Sequence, residues 1–401
     1  MEQPEGKGGK RSLASQSPGK HSLTLEGDKH SLASQSPGKL VLTGGHAATT
    51  AVAVIQEIRS QKLNWDLTWI GVKNAIEGKK VATLESEILP KLGVKFIPLI
   101  TGRIQRRFTI WTVPAVLKIP IGIIQAFYYL VKERPGVILS FGGFASFPVV
   151  VSAKFLGISV VVHEQTSVAG RSNLLSEKFV SQIAISRSES EKYFPPGKCV
   201  VTGNPVIKEI TRVKPKLKIG VPPTIFVTGG SRGSQKINEA LEEILRQLLT
   251  KYKLIHQTGG LDYLKFSDIK QKLPQALRDN YEVFVRVNPL EVYKIYQKCD
   301  ILVARAGANT VSEIMMVKRP AILIPLPISY LNEQTKNAMI ARDMGVAKII
   351  LQKNLTPEIL FKHIEESIKY YSLIVEKIKS KNSPDEAASR NLLRVLKGYM
   401  K

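Results

Sequence analysis

One unit recurs along this chain: a short β-branched strand, a glycine turn, then a helix. Leu40-Val-Leu-Thr43 runs into Gly44-Gly45-His46 and a helix through about Lys62. Thr224 to Thr228 runs into Gly229-Gly-Ser-Arg-Gly233 and a helix to about Leu249. Ile301 to Ala304 ends in Arg305 and Gly307 and opens a third helix. Strands also fall at Asp66–Val72, Val94–Pro98, Val137–Ser140, Ile158–Val162, Lys253–Gln257, Tyr281–Val285 and Pro320–Pro325. Strands that alternate with helices and lack hairpin turns are joined by crossovers, and crossovers make parallel sheets.

Because the strand–glycine–helix pattern restarts after Pro223, the chain reads as α/β with two doubly wound, Rossmann-like halves. The predicted boundaries are 39–207 and 223–380, with a linker at 208–222 and a C-terminal helix at 381–401. The linker reading rests on Lys214-Pro-Lys-Leu-Lys218 and Val221-Pro-Pro223. A length of 401 residues fits two domains better than one core. Residues 1–38 carry a repeat, Ser12 to Lys20 recurring as Ser31 to Lys39, too rich in Ser, Gly, Pro and Lys to bury a core. A disordered extension is expected there, and no secretory signal is expected in the first forty residues, which hold no apolar run.

The balance of charge excludes few functions but favours one class of partner. Lys plus Arg number 58 against 33 acidic residues, a net charge of +25. That favours nucleic acid or an anionic membrane surface. No basic motif interleaved with aromatics supports nucleic acid, so an anionic membrane surface is expected. Between Gly102 and Pro135 a basic stretch (Arg103, Arg106, Arg107) is followed by an apolar one reaching from Phe108 through Trp111 to Leu130. Pro114, Lys118, Pro120 and Gln125 interrupt it, leaving pieces well short of the roughly 20 apolar residues of a membrane span. Two readings remain: an interfacial helix, or a core-facing helix with a basic solvent side. Cys199 and Cys299 lie far apart with no ligand spacing, which fits a reducing compartment and buried thiols.

Each half places a glycine turn directly after its first strand. Neither turn is Gly-x-Gly-x-x-Gly with an acidic residue about 20 positions on, so a dinucleotide cofactor is not expected. Glycine turns at helix starts still offer amides and a positive helix end to phosphate. Ser231 adds a hydroxyl and Arg232 a cation. Glu313, six residues after Gly307, stands where a carboxylate can accept from both hydroxyls of a ribose, and Gln334 follows on the next polar loop. These offsets point to a nucleotide-sugar pocket. At the first helix start, His46 faces a positive helix end, which favours the neutral imidazole able to take a proton. A lone histidine is more often structural than catalytic, and His163 and His256 are expected to be structural. The chain has no Asp-x-Asp, no clustered metal ligands, no Walker loop and no Gly-x-Ser-x-Gly elbow. A diphosphate must then be neutralised by helix ends and arginines.

Together Thr43-Gly-Gly-His46, Phe141-Gly-Gly-Phe144, His163-Glu-Gln165, Gly203-Asn-Pro-Val206, Gly229-Gly-Ser-Arg-Gly233, Arg305-Ala-Gly-Ala-Asn-Thr-Val-Ser-Glu313 and Pro320 to Pro327 resemble the MurG family of cell-wall glycosyltransferases. The resemblance covers roughly Leu40 to Ser380. It implies a GT-B fold with the active site in a cleft between the halves. It also implies inverting transfer of GlcNAc from UDP-GlcNAc to the 4-hydroxyl of a polyprenyl-pyrophosphate-linked MurNAc-pentapeptide, peripherally at the cytoplasmic face of the cell membrane. No cofactor or metal is implied beyond UDP-GlcNAc as substrate, and proteins of a cell-wall or division complex are implied as partners. Donor contacts carried over are Gly230 and Ser231 to the diphosphate, Glu313 to the ribose, and Gln334 with Glu333 to the sugar. Thr43, Thr166, Arg232, Arg305, Thr310 and Asn337 complete that set. Gly44, Gly45, Gly142, Gly143 and Phe144 would meet the acceptor, with His46 as general base and Glu164 as the alternative. The family arginine after Gly-Asn-Pro-Val is Ile207 here, leaving Lys208 or Arg232 to supply the cation. Two other readings share many of these features: a different membrane glycosyltransferase of the same fold, or an inactive protein that binds the lipid-linked precursor.

Overall fold

The computed structural model describes residues 37–76, 79–102, 112–230 and 232–401. Residues 1–36 of the expected extension, the basic run Arg103–Arg107, Trp111 and Ser231 lie outside them, while Gly38, expected in the extension, opens the first strand.

The first half is a parallel sheet of seven strands in the order β5-β2-β1-β6-β7-β8-β9. These are β1 (Gly38–Thr43), β2 (Trp65–Gly71), β5 (Lys95–Pro98), β6 (Val137–Ser140), β7 (Ser159–Glu164), β8 (Gln182–Ile185) and β9 (Cys199–Val201). A small antiparallel pair, β3 (Asn74–Ile76) and β4 (Lys79–Ala82), was not expected and lies outside the sheet. The second half repeats the plan with six parallel strands, β12-β11-β10-β13-β14-β15. They are β10 (Thr224–Thr228), β11 (Lys253–Gln257), β12 (Tyr281–Phe284), β13 (Ile301–Ala304), β14 (Ala321–Leu323) and β15 (Ala347–Ile349). The helices are α1 (Ala48–Ser60), α2 (Leu84–Ile88), α3 (Thr112–Glu133), α4 (Phe147–Phe155), α5 (Arg171–Ser176), α6 (Lys208–Thr211) and α7 (Gln235–Leu249). They continue with α8 (Tyr263–Lys272), α9 (Gln275–Arg278), α10 (Val292–Lys298), α11 (Ala308–Val317), α12 (Glu333–Met344), α13 (Pro357–Lys369), α14 (Tyr371–Ile378) and α15 (Ala388–Tyr399).

In both sheets the strand order reverses beside the first strand, between β1 and β6 and between β10 and β13. Loops leaving two such neighbours diverge to opposite faces and open a crevice, where ligands of open α/β sheets bind. All four glycine-bearing turns singled out by sequence leave these four strands.

Two segments depart from expectation. The stretch 208–222 is packed rather than a free linker: Ile210 and Val213 are buried, and Asp300 accepts from the amides of Gly220 and Thr224 at 2.9 and 2.8 Å. Lys216 Nζ stands 2.7 Å from the same carboxylate. The closing helix α15 leaves the second half altogether. Its Leu392, Leu393 and Leu396 are buried in one core with Leu40 and Leu42 of β1 and with α1. Just before it, Asp385 forms a buried two-pronged ion pair with Arg187, both contacts 2.6 Å.

Helix α3 faces the core on one side, as the second reading of its sequence expects, but its solvent side is apolar rather than basic. Ala126 and Leu130 are buried on one side, against the first sheet. Leu117, Ile121, Ile124, Tyr128 and Val131 form an exposed stripe on the other, Leu117 at 66 % and Ile124 at 70 %. Among the described residues, no helix is long and apolar enough to cross a membrane.

Candidate functional site

At the first switch point the turns after β1 and β6 lock together. Gly142 and Gly143 have φ of 75° and 86°, the left-handed region that side chains rarely tolerate. Their backbone comes so close to the other turn that Gly45 N donates to Gly142 O at 3.1 Å. A Cβ on Gly143 would lie 3.1 Å from Gly45 N. Phe144 is half-buried beside this pair. His46 follows with φ 62° and an exposed side chain at the start of α1. The next amide, Ala47 N, donates to the buried Glu85 Oε1 at 2.8 Å. Two amides of this turn, at Gly45 and Ala47, are therefore already bonded within the protein. That corrects the picture of an open phosphate cradle at Gly44-Gly45.

Glu164, the expected alternative base, has a different role. It is 3 % exposed, and its two oxygens accept from Thr166 N and Oγ1 at 3.1 and 2.9 Å and from Gly170 N and Asn173 Nδ2 at 2.8 Å each. Burial pushes its carboxyl up while these bonds pull it down. A carboxylate so occupied folds its loop and is not placed to take a proton from a ligand. Thr166 spends its hydroxyl on Glu164 and on Val168 O. Thr43 is fully buried at the strand end, its Oγ1 without a hydrogen-bond partner.

The second switch point is built differently. Gly229 and Gly233 are packed so tightly that a Cβ would lie 2.3 Å from Gly233 C and 2.0 Å from Thr258 O respectively. Gly230, with φ 80°, faces open space instead. Thr228 Oγ1 accepts from its amide at 3.0 Å, and its carbonyl accepts from Gln257 Nε2 at 2.7 Å. Across from it Gly307 caps the start of α11, also with open space where a Cβ would stand, and Thr310 and Glu313 follow on the helix. Tyr296 donates its hydroxyl to Glu313 Oε2 at 2.7 Å. Burial pushes the Glu313 carboxyl up to about 7, against the downward pull of that bond. Arg305 is largely committed to the fold: Nη1 donates to Ile324 O at 3.0 Å and Nη2 to Gln352 Oε1 at 2.6 Å. Burial lowers it to about 10. Gln334 Oε1 accepts from Leu326 N at 3.0 Å. Glu333 is half-buried at the first position of α12. Asn337 is buried and accepts from Ser167 Oγ at 3.1 Å, so it ties the halves together.

Two cavities meet at this second turn. One, of about 420 Å³, brings together His46, Thr49 and Glu85 of the first half with Gly230, Arg232, Gln257, Arg286, Tyr296, Thr310 and Glu313 of the second. The other, of about 500 Å³, is lined by Gly229, Gly230 and Arg232 to Lys236, with Arg305, Gly307, Thr310, Gln334 and Gln352. Gly230, Arg232 and Thr310 belong to both. Thr43, Thr166, Glu333 and Asn337 lie outside both linings, as do Gly44, Gly45 and the Gly142–Phe144 turn. Of the two cations considered in place of the missing arginine, Arg232 lines the cavities and Lys208 does not. Ile207 itself is 2 % exposed and packs in the core.

Sequence reasoning missed Tyr296, Gln257, Arg286, Asn309 and Glu85. Asn309 stands inside the Arg305–Glu313 motif but was given no role, and the other four belong to no local motif; Tyr296 meets Glu313 because α10 precedes the central strand β13. Asn309 Nδ2 donates to Thr49 Oγ1 at 3.1 Å, and Asn204 Nδ2 donates to Asn309 Oδ1 at 3.0 Å, so it bridges the cleft wall. His163 and His256 are structural as expected: both are fully buried and pushed down, to about 4 and about 3, by burial. Among the described residues no group of three or more His, Cys, Asp or Glu could hold a metal ion.

Residues 43–185 match the glycosyltransferase family 28 N-terminal domain, and residues 224–391 match the family 28 C-terminal domain. A protein of Bacillus cytotoxicus named UDP-N-acetylglucosamine–N-acetylmuramyl-(pentapeptide) pyrophosphoryl-undecaprenol N-acetylglucosamine transferase is 32 % identical over 367 residues, 90 % of this chain and 97 % of that protein. A protein of the same name from Caldanaerobacter subterraneus is 32 % identical over 363 residues, 88 % and 97 % of the two chains. The crystal structure of Acinetobacter baumannii MurG superposes with a TM-score of 0.64 at 23 % identity, covering 90 % of this chain and all of that one. The fold is shared more widely: UDP-GlcNAc 2-epimerase of Neisseria meningitidis gives 0.63 at 15 % identity over 90 % of this chain and all of that one. With two switch-point crevices facing one cleft and these relatives along nearly its whole length, the chain belongs to the MurG family of UDP-N-acetylglucosamine–N-acetylmuramyl-(pentapeptide) pyrophosphoryl-undecaprenol N-acetylglucosamine transferases, glycosyltransferases of the GT-B fold.

Proposed function

We propose that this protein transfers GlcNAc from UDP-GlcNAc to the 4-hydroxyl of undecaprenyl-pyrophosphoryl-MurNAc-pentapeptide, with inversion. One observation carries the reading: a single cavity is walled by His46 from one half and by Arg232, Thr310 and Glu313 from the other. The donor lies on the second half. Its ribose hydroxyls donate to Glu313, whose second oxygen is steadied by Tyr296, and its diphosphate lies over the open Gly230 turn beside Arg232 and the start of α7. The acceptor hydroxyl enters from the first half. His46 takes its proton as the oxygen bonds to the anomeric carbon; the bond to the diphosphate breaks on the opposite face, and UDP leaves with the electron pair. Arg232 and the positive end of α7 stabilise the charge that develops there.

The acceptor is lipid-linked, and the outer stripe of α3 offers it a membrane. Leu117, Ile121, Ile124 and Tyr128 on a surface of a strongly cationic chain suit an anionic bilayer at the cytoplasmic face. UDP release tests the reaction. Purified protein with UDP-GlcNAc, a lipid I analogue and EDTA is expected to release UDP in step with disaccharide product. No release with both substrates and detergent present would sink the proposal.

A further inference from the structure

We propose that Glu85 is a positioning residue of the reaction, holding the His46 turn through the backbone. The inference rests on the reading of His46 as general base.

His46 is a non-glycine residue at φ 62°. Such a conformation persists only where its surroundings over-determine it. On its C-terminal side the fixing contact is plain: Ala47, fully buried, donates its amide to Glu85 Oε1 at 2.8 Å. Glu85 is itself 3 % exposed. An ionisable group is buried at such cost only where it is bonded in place. Its short helix is anchored in turn. Thr83, which caps α2, donates its hydroxyl to Val72 O at 3.1 Å and its amide to Lys73 O at 2.9 Å, just beyond the end of β2. A chain of bonds thus runs from the first sheet through α2 to the peptide that follows His46.

The same contact decides what the turn can do. A carboxylate at the positive end of a 13-residue helix stands where a phosphate would otherwise bind. With Ala47 N given to Glu85 and Gly45 N given to Gly142 O, the turn is organised to present a side chain rather than to cradle an anion. From the opposite wall Asn309 holds the first turn of the same helix at Thr49 and Thr50. The helix carrying His46 is therefore fixed from both sides of the cleft, and Glu85 grips the backbone on the C-terminal side of the imidazole.

The test compares Glu85→Ala, Glu85→Gln, Glu85→Asp and His46→Ala, measuring kcat with a lipid I analogue, KM for UDP-GlcNAc, and UDP affinity by calorimetry. A misplaced catalytic group costs up to about 100-fold, so Glu85→Ala is expected to lower kcat by about 10- to 100-fold with donor KM and UDP affinity within about twofold. Glu85→Gln keeps a carbonyl for Ala47 N and is expected to recover most of the loss. If the alanine variant does not fold, Glu85→Asp, whose carboxylate is one methylene short, carries the test with the same split. An unchanged kcat in the folded variants, or a loss of UDP affinity in parallel with kcat, overturns the inference. His46→Ala inactive beside unaffected Glu85 variants overturns it alone; His46→Ala with full kcat removes the base reading and the inference together.

Discussion

The two halves solve one topological problem in opposite ways. Both put a glycine turn after the first strand, at the reversal of strand order. In the first half the neighbouring turns bond to each other, and a buried carboxylate fills the helix end. In the second half the turn is braced from behind by Gly229 and Gly233 and left open in front at Gly230 and Gly307. A glycine turn at a helix start is thus no anion site by sequence alone. What matters is whether space is left in front of the turn, as it is at Gly230 and Gly307.

The sharpest way to break this contrast is at the reacting side chain. His46→Ala is expected to lower kcat by about 10²–10⁴-fold while KM for UDP-GlcNAc stays put, since the donor lies on the other half; steady-state kinetics with both substrates varied would show it. Next come the glycines of the second turn. Gly233→Ala, with φ 76° and a Cβ 2.0 Å from Thr258 O, is expected to destabilise by on the order of 3 kcal/mol. Gly230→Ala meets nothing within 4 Å and is expected to cost only the left-handed conformation, about 1–2 kcal/mol. Urea unfolding of the two variants measures the difference, and equal losses would erase the distinction between braced and open.

A third prediction uses pH. The Glu313 carboxyl is raised from 4.5 to about 7 in the folded chain. Its contribution to stability without ligand is complete below about 4.5 and is lost as pH rises through about 7. UDP affinity moves the other way, because the ionised carboxylate is the better acceptor for ribose hydroxyls. Between pH 6 and pH 8 affinity is expected to rise about tenfold, and Glu313→Gln to flatten that rise and weaken UDP binding at pH 8 by about tenfold or more. Calorimetry at the two pH values decides it. The smallest effect belongs to the first half's outer face: Leu117→Ser or Ile124→Ser is expected to weaken binding to anionic vesicles about fivefold each, roughly 1 kcal/mol. Flotation assays would measure it, and unchanged partitioning would leave the stripe without a membrane role.

The fold was legible because its signals are local. Val137–Ser140, Thr224–Thr228, Lys253–Gln257 and Ile301–Ala304 were read to the residue, since short apolar runs between polar or glycine turns leave little freedom. The hairpin Asn74–Ala82 was missed, having no such run, and β9 was read only as an unbounded part of the continuing alternation. Within the site, Gly230, Arg232, Thr310 and Glu313 sit on the motif that announced them and line the cavity with His46. Glu164 misled because a polar residue ending a strand looks alike whether it faces a ligand or its own loop; only the four bonds it accepts decide. Tyr296 and Glu85 were invisible, and Asn309 was quoted without a role, because their partners are brought near by strand order rather than by spacing.

The return of α15 to the first sheet has a consequence in time. The ribosome releases the first half early, yet Leu392, Leu393 and Leu396 of its core and the Asp385 partner of its Arg187 come from the end of the chain. The half made first is the half finished last. Separating the two at residues 208–222 would leave the first with an open apolar face and an unpaired buried guanidinium, so neither piece is a natural unit for expression. A chain lacking α15 would hold the donor half on an incomplete partner.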